Sequence, residues 1–364
     1  MIRLCHPAFD ADDRSRVDAV LDTGQLVQAR FVGELEAILG ARLGRDAIAC
    51  SNGTAALHLA MLALGVGEGD DVIVPAFTWP SAASVVMLVG ARPVFADIDP
   101  ETLCAPASEV ERVWTDCVRA VVAIHQFGIP AEVERMRTLC DNAGAWLVED
   151  AACAIGTQLE GGREAGTVGD VSCFSFHPRK VLTTGEGGLV ACADKALADR
   201  VRTLRNHGQG SAGLMRFVEP GPNYRMPELS AALGVGAASR LDATLAQRRA
   251  LARRYVETLS GVEGVAVPRG VADPRGNHQS FVVRVAAQAR DLVMSGLRAR
   301  GVECTIGTYS VPQQQAFGGA PPEATPVAWA AMHELVTLPL HEGMVSADVD
   351  EVVSALTAAL EEVR

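Results

Sequence analysis

Lys180 is the residue of this sequence whose type and setting most strongly suggest chemistry. It follows the apolar segment 171–176 and shortly precedes a glycine-rich turn at 183–188, Thr-Thr-Gly-Glu-Gly-Gly. A lysine that is not on a polar face usually needs a charged partner or a chemical role. The pKa of a free lysine is about 10.4, which makes it a poor nucleophile at neutral pH, whereas burial and a cofactor aldehyde convert it into a Schiff base.

Two adjacent carboxylates, Glu149 and Asp150, end a second apolar segment that begins at Trp146. A buried carboxylate is costly unless it is paired, and a cationic heteroaromatic nitrogen would be a suitable partner for Asp150. An opposite charge within a few ångströms shifts a pKa by roughly 1–3 units, which is enough to keep a pyridine nitrogen protonated. A structural cap or salt bridge is the alternative, and Glu149 is a competing candidate for the same role.

Two further features could complete a cofactor site. Trp79 follows a predicted strand at 71–75, where it could stack on a flat ring, although a packed core tryptophan is the alternative. The segment 51–57 begins a predicted helix, and Gly53 removes a side chain that would obstruct the free N–H groups of the first turn. An ordinary helix cap is the alternative for this segment.

These features match the requirements of pyridoxal phosphate. That cofactor needs a lysine, an acid for the ring nitrogen, a stacking partner and a phosphate cup. The chain supplies one of each, and each stands at the end of a predicted strand or the start of a helix. Their order and placement therefore predict a pyridoxal phosphate site. Cys173 and His177 lie nearby without metal-ligand spacing, so no metal is assigned.

The elements that position these residues alternate between short apolar segments and helical patterns. Strands are predicted at 71–75, 93–97, 120–124, 145–148, 171–176 and 188–192, and helices at 53–64, 80–90 and 131–144. Continuous apolar segments are typical of strands covered on both faces, so we predict an α/β sheet of about seven strands. The chain then becomes mostly helical from 226 to 259, and we predict a large domain at 1–240 and a smaller one at 241–364.

Composition limits the class of protein. The 364 residues are 49% hydrophobic, which is enough for a large core, and the net charge of −12 argues against non-specific nucleic-acid binding. The longest apolar stretch, 76–91, is interrupted by Pro80 and is too short for a bilayer span. Nine scattered cysteines and the absence of a secretory pattern favour a soluble, cytoplasmic protein without membrane or nucleic-acid partners.

Over nearly its whole length the chain resembles the DegT/DnrJ/EryC1/StrS aminotransferases. The motifs that carry the resemblance are found at 51–57, 69–75, 149–152, 169–170, 172–188, 206–208 and 223–226. The resemblance implies a fold type I transferase that depends on pyridoxal phosphate. Such a fold has a large domain with a mainly parallel seven-stranded sheet and a smaller C-terminal α+β domain.

The resemblance also implies which residues face the reacting part of the cofactor. Lys180 would bond to the cofactor aldehyde and move a proton between the cofactor carbon and the substrate carbon. Asp150 would face the pyridine nitrogen, and Trp79 would stack on the ring.

A second group of residues would hold the cofactor phosphate. The resemblance implies this role for Gly53, Thr54 and Ala55, with help from the Ser175 hydroxyl. Asn223 would reach the phosphate bound by the neighbouring subunit. These roles imply a homodimer with a shared active site.

Two positions depart from the family pattern. Cys153 stands where members often have glutamine or histidine, and a thiol is a poor hydrogen-bond donor. Val311 and Pro312 follow Tyr309 and Ser310 in a segment where many members place a histidine after the tyrosine.

The expected activity is amino transfer from L-glutamate, or glutamine, to a ketone. The favoured acceptor is a keto-sugar carried on a nucleotide, in amino-sugar or natural-product biosynthesis, and a ketocyclitol is the near alternative. A sugar dehydrase on the same fold is a further alternative, but its relatives tend to carry histidine where Lys180 stands. A non-enzymatic regulator is a fourth possibility, against which the complete set of cofactor residues argues.

Overall fold

The computed structural model describes residues 1–210 and 216–363. The helices are α1 (Ala11–Thr23), α2 (Arg30–Leu43), α3 (Gly53–Leu64), α4 (Ser81–Leu88), α5 (Ala107–Arg112), α6 (Val133–Ala143), α7 (Lys195–Arg205), α8 (Glu228–Ser239), α9 (Leu241–Leu259), α10 (Arg269–Ala272), α11 (Arg290–Ala299), α12 (Pro326–Glu334) and α13 (Ser346–Glu361). The strands are β1 (Asp46–Cys50), β2 (Asp71–Pro75), β3 (Phe77–Thr78), β4 (Arg92–Ala96), β5 (Val118–Ile124), β6 (Trp146–Asp150), β7 (Val171–Ser175), β8 (Gly188–Cys192), β9 (Phe281–Arg284), β10 (Thr305–Ile306), β11 (Tyr309–Ser310) and β12 (Leu335–Leu338).

Seven strands form the main sheet, in the order β1-β8-β7-β6-β5-β2-β4. Strand β8 is antiparallel to both of its neighbours, β1 and β7, and the pairs from β7 to β4 are parallel. The predicted mainly parallel α/β sheet is therefore confirmed. Six of its strands were predicted individually, and β1 is the strand that the apolar pattern did not indicate.

Successive side chains of the central strands enter two different cores. Val72 and Val74 pack with residues of α3, α4 and α7, whereas Ile73 between them packs with residues of α2, α6 and α9. This alternation explains why the strands are apolar at every position, since helices cover both faces of the sheet. It also leaves the carboxyl ends of six strands together at one edge, where ligands bind in open α/β sheets.

The last third of the chain forms a second, smaller unit. Its antiparallel sheet has the order β10-β12-β9, and α11 packs against α13 beside it. The region from 226 to 259 is mostly helical, as predicted, and it consists of two helices, α8 and α9, separated at Arg240. Ile2 bridges Val302, so the first residues of the chain lie on this unit.

A short pair of antiparallel strands joins the two units at the edge of the main sheet that holds the carboxyl ends of its parallel strands. Strand β3, directly after β2, pairs with β11 of the second unit, and the Val311 amide donates to the Ala76 carbonyl at 2.8 Å. The division into domains at 1–240 and 241–364 stays a prediction. Within residues 1–210 and 216–363, no helix combines the length and apolarity needed to cross a lipid bilayer.

Candidate active site

Lys180 lies in a turn that follows β7. Its amide donates to the His177 carbonyl at 2.8 Å, and the Arg179 amide donates to His177 Nδ1 at 3.2 Å. His177 thus stabilises the turn through both its carbonyl and its ring. The second unit also holds the turn, because Gln279 Nε2 donates to the Arg179 carbonyl at 2.9 Å. The half-buried Lys180 side chain is therefore presented from a fixed main chain.

Asp150 ends the neighbouring strand β6 and is 6% exposed. One carboxylate oxygen accepts from the Ala152 amide at 3.0 Å, and among the described residues no donor reaches the other oxygen. Burial raises the pKa of Asp150, and the charges of Lys180 and His125 only partly oppose that effect. Asp150 is consequently a buried acid with one free oxygen and a need for a cationic partner.

Glu149 precedes Asp150 and has a different environment. It is fully buried and accepts hydrogen bonds from His125 Nε2 at 3.0 Å and from the amides of Gly166, Val168 and Gly169 at 2.8, 2.6 and 2.6 Å. Burial alone would raise its pKa, but these donors and the His125 charge lower it to about 2. Glu149 is thus fully occupied by the protein, and the geometry favours Asp150 over its competitor.

A narrow cup forms where the start of α3 meets the end of β7. A Cβ atom at Gly53 would lie 2.7 Å from Ser175 Cβ and 3.1 Å from Ser175 Oγ. Any larger residue at position 53 would therefore fill the cup. A second close approach comes from Gly188, where a Cβ would lie 2.4 Å from the Asn52 carbonyl oxygen. Small residues and outward N–H groups at a helix start fit a phosphate group.

The donors at this cup are partly used by the helix cap. Asn52 Oδ1 accepts from the Ala55 amide at 2.8 Å, so the cap interpretation is correct for Asn52. The Ala55 amide, one of three predicted phosphate donors, is therefore engaged in this structure. The amides of Gly53 and Thr54 and the Ser175 hydroxyl make no hydrogen bond to any residue in the described part of the chain, and they remain available to an anion.

Trp79 follows β3 at the same edge of the sheet. Its side chain is 63% exposed and packs edge-on against Tyr309, with ring centroids 5.7 Å apart. The alternative of a packed core tryptophan is therefore wrong. Strand β2, which precedes it, is two positions from β6 in the sheet, so Trp79 lies beyond Asp150 along the edge.

Asn223 lies on an extended segment beside the end of β1. The next carbonyl, that of Tyr224, accepts from the Ser51 amide at 2.9 Å, which brings the segment close to the start of α3. The Asn223 side chain is exposed and has no hydrogen-bond partner in the described ranges. It is thus free to contact a group outside its own chain.

Several contacts around Lys180 were not indicated by the sequence pattern. Cys153 Sγ lies 3.0 Å from Lys180 Nζ, and Asn277 Nδ2 donates to the Cys153 carbonyl at 2.9 Å. The buried polar cluster 277–280, directly before an apolar strand, was the signal that could have revealed this support. Val311, one of the residues that depart from the expected family pattern, is fully buried.

A lysine, a buried acid, a helix start with free donors and an exposed tryptophan thus meet at one edge of a mainly parallel sheet. This combination of fold and site defines an enzyme that works through a phosphate-bearing aldehyde cofactor. Lys180 is one of only two lysines in the chain, and the other, Lys195, lies on the exposed surface of α7 with its ammonium 3.1 Å from Asp199.

Known proteins agree with this class. The model of the DegT/DnrJ/EryC1/StrS aminotransferase family matches residues 7–357. A GDP-perosamine synthase from Caulobacter vibrioides is 32% identical over 366 residues, which cover 99% of this chain and 98% of that protein. The chain belongs to the DegT/DnrJ/EryC1/StrS aminotransferase family. It is a sugar aminotransferase that depends on pyridoxal phosphate.

Solved structures of relatives extend the agreement to the whole fold. The aminotransferase TlmJ from Streptoalloteichus hindustanus superposes with a TM-score of 0.93 at 32% identity, and the match covers 100% of this chain and 99% of that one. The PLP form of Spr1654 from Streptococcus pneumoniae superposes with a TM-score of 0.92 at 25% identity, over 99% of both chains.

Proposed function

We propose that this enzyme transfers the amino group of L-glutamate, or of glutamine, to a keto-sugar carried on a nucleotide. The observation that carries the proposal is the meeting of Lys180 and Asp150 at the sheet edge where α3 begins. The name of the Caulobacter relative, a GDP-perosamine synthase, supports a nucleotide-linked sugar as the acceptor. A ketocyclitol remains the alternative acceptor to be tested beside it.

The proposed roles divide between binding and proton transfer. When bound, pyridoxal phosphate supplies the aldehyde and the electron-withdrawing ring that let an amino group change its carbon partner. Lys180 would bond to the cofactor aldehyde, and its free amine would carry the proton between the two carbons. Asp150 would stabilise positive charge on the ring nitrogen, because among the described residues no cation contacts its free, buried oxygen.

The remaining residues fix the cofactor in place. The Gly53 and Thr54 amides and the Ser175 hydroxyl bind the phosphate, and Ala55 joins them if the Asn52 cap yields its hydrogen bond. Trp79, which is largely exposed at this edge, would stack on the cofactor ring and exclude water from that side. Each of these assignments follows from a free donor or surface at the same edge of the sheet.

Asn223 motivates the proposal of a homodimer with shared active sites. Its exposed amide has no partner among the described residues of its own chain and lies on the segment next to Ser51. We assign it to the phosphate of the neighbouring subunit. Sedimentation of the purified protein should give a dimer, and Asn223→Ala should weaken cofactor retention in that dimer. A monomer with full activity would refute this part of the proposal.

The nine free cysteines fit the cytoplasmic location proposed from the sequence.

The presence of only two lysines gives a direct test of the central role. Borohydride reduction of the purified holoenzyme should fix the cofactor on the peptide that contains Lys180, with none on Lys195, as read by peptide mass spectrometry. Lys180→Ala should lose amino transfer, whereas the matched control Lys195→Ala should retain it. Label on Lys195, or full transfer by Lys180→Ala without added amine, would refute the assignment.

The donor and the acceptor are tested in separate half-reactions. L-Glutamate should convert the holoenzyme to the amine form of its cofactor and release 2-oxoglutarate. Nucleotide-linked keto-sugars should then return the enzyme to the aldehyde form and yield an aminated sugar by mass spectrometry. Return by free ketocyclitols alone would favour the alternative acceptor. Failure of both glutamate and glutamine in the first half would refute the proposed donors.

A further inference from the structure

The Lys180 amine has an unusual neighbour for a lysine at a sheet edge. Its Nζ lies 3.0 Å from the sulfur of Cys153, which is a free, half-buried cysteine. Within residues 1–210 and 216–363, no other side chain is within hydrogen-bonding distance of this amine. Asp150 acts on Lys180 through its charge but forms no ion pair with it at contact distance. Among the described residues, the thiol is thus the only hydrogen-bonding contact of the Lys180 amine.

The second unit holds the main chain at Cys153. Asn277 is fully buried, and its Nδ2 donates to the carbonyls of Cys153 and Ile155, each at 2.9 Å. Gly128 packs against the same place, because a Cβ there would lie 3.0 Å from the Cys153 carbonyl oxygen. The main chain around the cysteine therefore cannot move away from Lys180 without breaking buried hydrogen bonds.

Apart from the Cys153 thiol, the described residues hold Lys180 only at its main chain. Four rotatable bonds separate that main chain from the amine, and such a side chain loses up to about 2 kcal/mol of rotamer entropy when it is ordered. An amine that must reach the same carbon in every turnover reacts more slowly when its side chain also populates other rotamers. A contact at the tip of the chain restricts the amine more than any contact along its stem.

We propose that Cys153 is a positioning residue for Lys180. Its thiol holds the amine at the sheet edge during the part of the cycle in which the amine is not bonded to the cofactor. The inference rests on the proposed role of Lys180 as the cofactor lysine. Cys153 acts through the lysine and contacts no substrate in this role, so its loss should lower kcat and leave KM for the amino donor unchanged.

The test compares Cys153→Ala and Cys153→Ser in the holoenzyme, with the exposed Cys117→Ala as the matched control. Loss of one hydrogen bond corresponds to a fall in kcat of about 10-fold for Cys153→Ala, with KM for the donor within about twofold of the original value. Cys153→Ser should recover part of the rate, because a hydroxyl can still meet the amine over a slightly longer distance. Cys117→Ala should match the original enzyme.

A second readout follows the amine directly. After conversion to the amine form of the cofactor by the donor, the protein is treated briefly with acetic anhydride, and acetylation is quantified by peptide mass spectrometry. Lys195 serves as the internal reference within each sample, since it is exposed and remote. Relative to Lys195, Lys180 should be acetylated several-fold faster in Cys153→Ala, and at an intermediate rate in Cys153→Ser.

The possible outcomes separate this inference from the proposed function. Original kcat and original Lys180 acetylation in Cys153→Ala would overturn the positioning role, even if Lys180→Ala is inactive. Loss of cofactor together with kcat in both cysteine variants would overturn it as well, because that pattern means structural support. If Cys153→Ala does not fold, Cys153→Ser decides by the same two measurements. Active Lys180→Ala would instead refute the proposed function itself.

Discussion

Glu149 and Asp150 are neighbours on β6, yet their carboxylates differ in hydrogen bonding and in the direction of their pKa shifts. Glu149 accepts four hydrogen bonds and has a pKa lowered to about 2, whereas Asp150 accepts one and has a pKa raised by burial. Both are buried to a similar degree, so burial alone does not distinguish them. The difference lies in the donors that the fold supplies on each side of the strand.

The comparison shows that the hydrogen bonds of a buried carboxylate distinguish a structural role from a ligand-binding role. A carboxylate whose oxygens are all occupied stabilises the protein and has nothing left for a ligand. A carboxylate that is buried with an oxygen free carries a cost that a bound cation would remove. Glu149 matches the first description and supports the loop 166–169. Asp150 matches the second description, which is that of a ligand-binding residue. Three experiments can break or sharpen this contrast, and a fourth tests the exposure of Trp79.

The largest effect is expected from Glu149→Ala. The substitution leaves the His125 ring and three buried amides without their acceptor, so we expect the free energy of unfolding to fall by about 3–5 kcal/mol. Urea denaturation followed by circular dichroism would measure it. The exposed Glu111→Ala is the control and should change stability by less than about 0.5 kcal/mol. A loss from Glu149→Ala no larger than that of the control would contradict the structural assignment.

Asp150→Asn should have the reverse profile. The asparagine oxygen can keep the Ala152 hydrogen bond, and removal of a buried charge should leave stability at neutral pH unchanged or slightly higher. Amino transfer should fall by about 100-fold, since the ring nitrogen loses its counter-charge. Steady-state kcat/KM and urea denaturation on the same preparation test both halves. Original turnover in Asp150→Asn would remove this residue from the site.

The two acids should also respond to pH with opposite signs. Glu149 has a lowered pKa, so its contribution to stability is complete above its ordinary value of 4.5 and is lost as the pH falls towards 2. The stability difference between the original protein and Glu149→Gln should therefore shrink over that acid range.

Asp150 has a raised pKa, so its contribution is present below its ordinary value of 3.8 and is lost as the pH rises through the raised value. Asp150→Asn should gain stability relative to the original protein as the pH rises from about 4 towards neutrality. Denaturation at a series of pH values would measure both differences, and slopes of the same sign would be inconsistent with the contrast.

A small effect on stability is also expected from Trp79→Ala. Because the ring is largely exposed, we expect a loss of less than about 1 kcal/mol, together with weaker cofactor retention. Phe77, two residues earlier, is fully buried against Phe127, and Phe77→Ala should cost about 3–5 kcal/mol. Thermal denaturation of the two variants checks the difference. Equal losses would mean that Trp79 is part of the core after all.

The sequence predicts six of the seven strands of the main sheet but misses strand β1 and helix α1. Strands β2 and β8 and helix α3 have the predicted bounds, because each is a continuous apolar or periodic segment between turn residues. Strand β1 escapes prediction since its five residues are held by pairing with β8, which is distant in sequence. Helix α1 escapes it because only Asp13 and Val20 of its residues are buried, so no apolar stripe marks it.

The candidate site divides in the same way. Lys180, Asp150 and Gly53 can be named from the sequence because each follows a recognisable local pattern. Their surroundings depend on contacts between distant segments, such as the four donors that occupy Glu149 and the amide of Asn277 that holds Cys153. No local pattern encodes which segment will supply a donor. The family resemblance implies Asp150 rather than Glu149, and the hydrogen bonds of the structure supply the physical reason for that choice.

The side chains at 277–279 have a consequence for any exchange of parts between relatives. Residues 1–240 contain every side chain assigned to the cofactor, yet Asn277 and Gln279 of the second unit hold the main chain at Cys153 and Arg179. A chimaera joined near residue 240 would inherit its cofactor residues from one parent and their support from the other. Residues 277–280 would have to come from the same parent as residues 1–240 for the chimaera to keep the geometry of its active site.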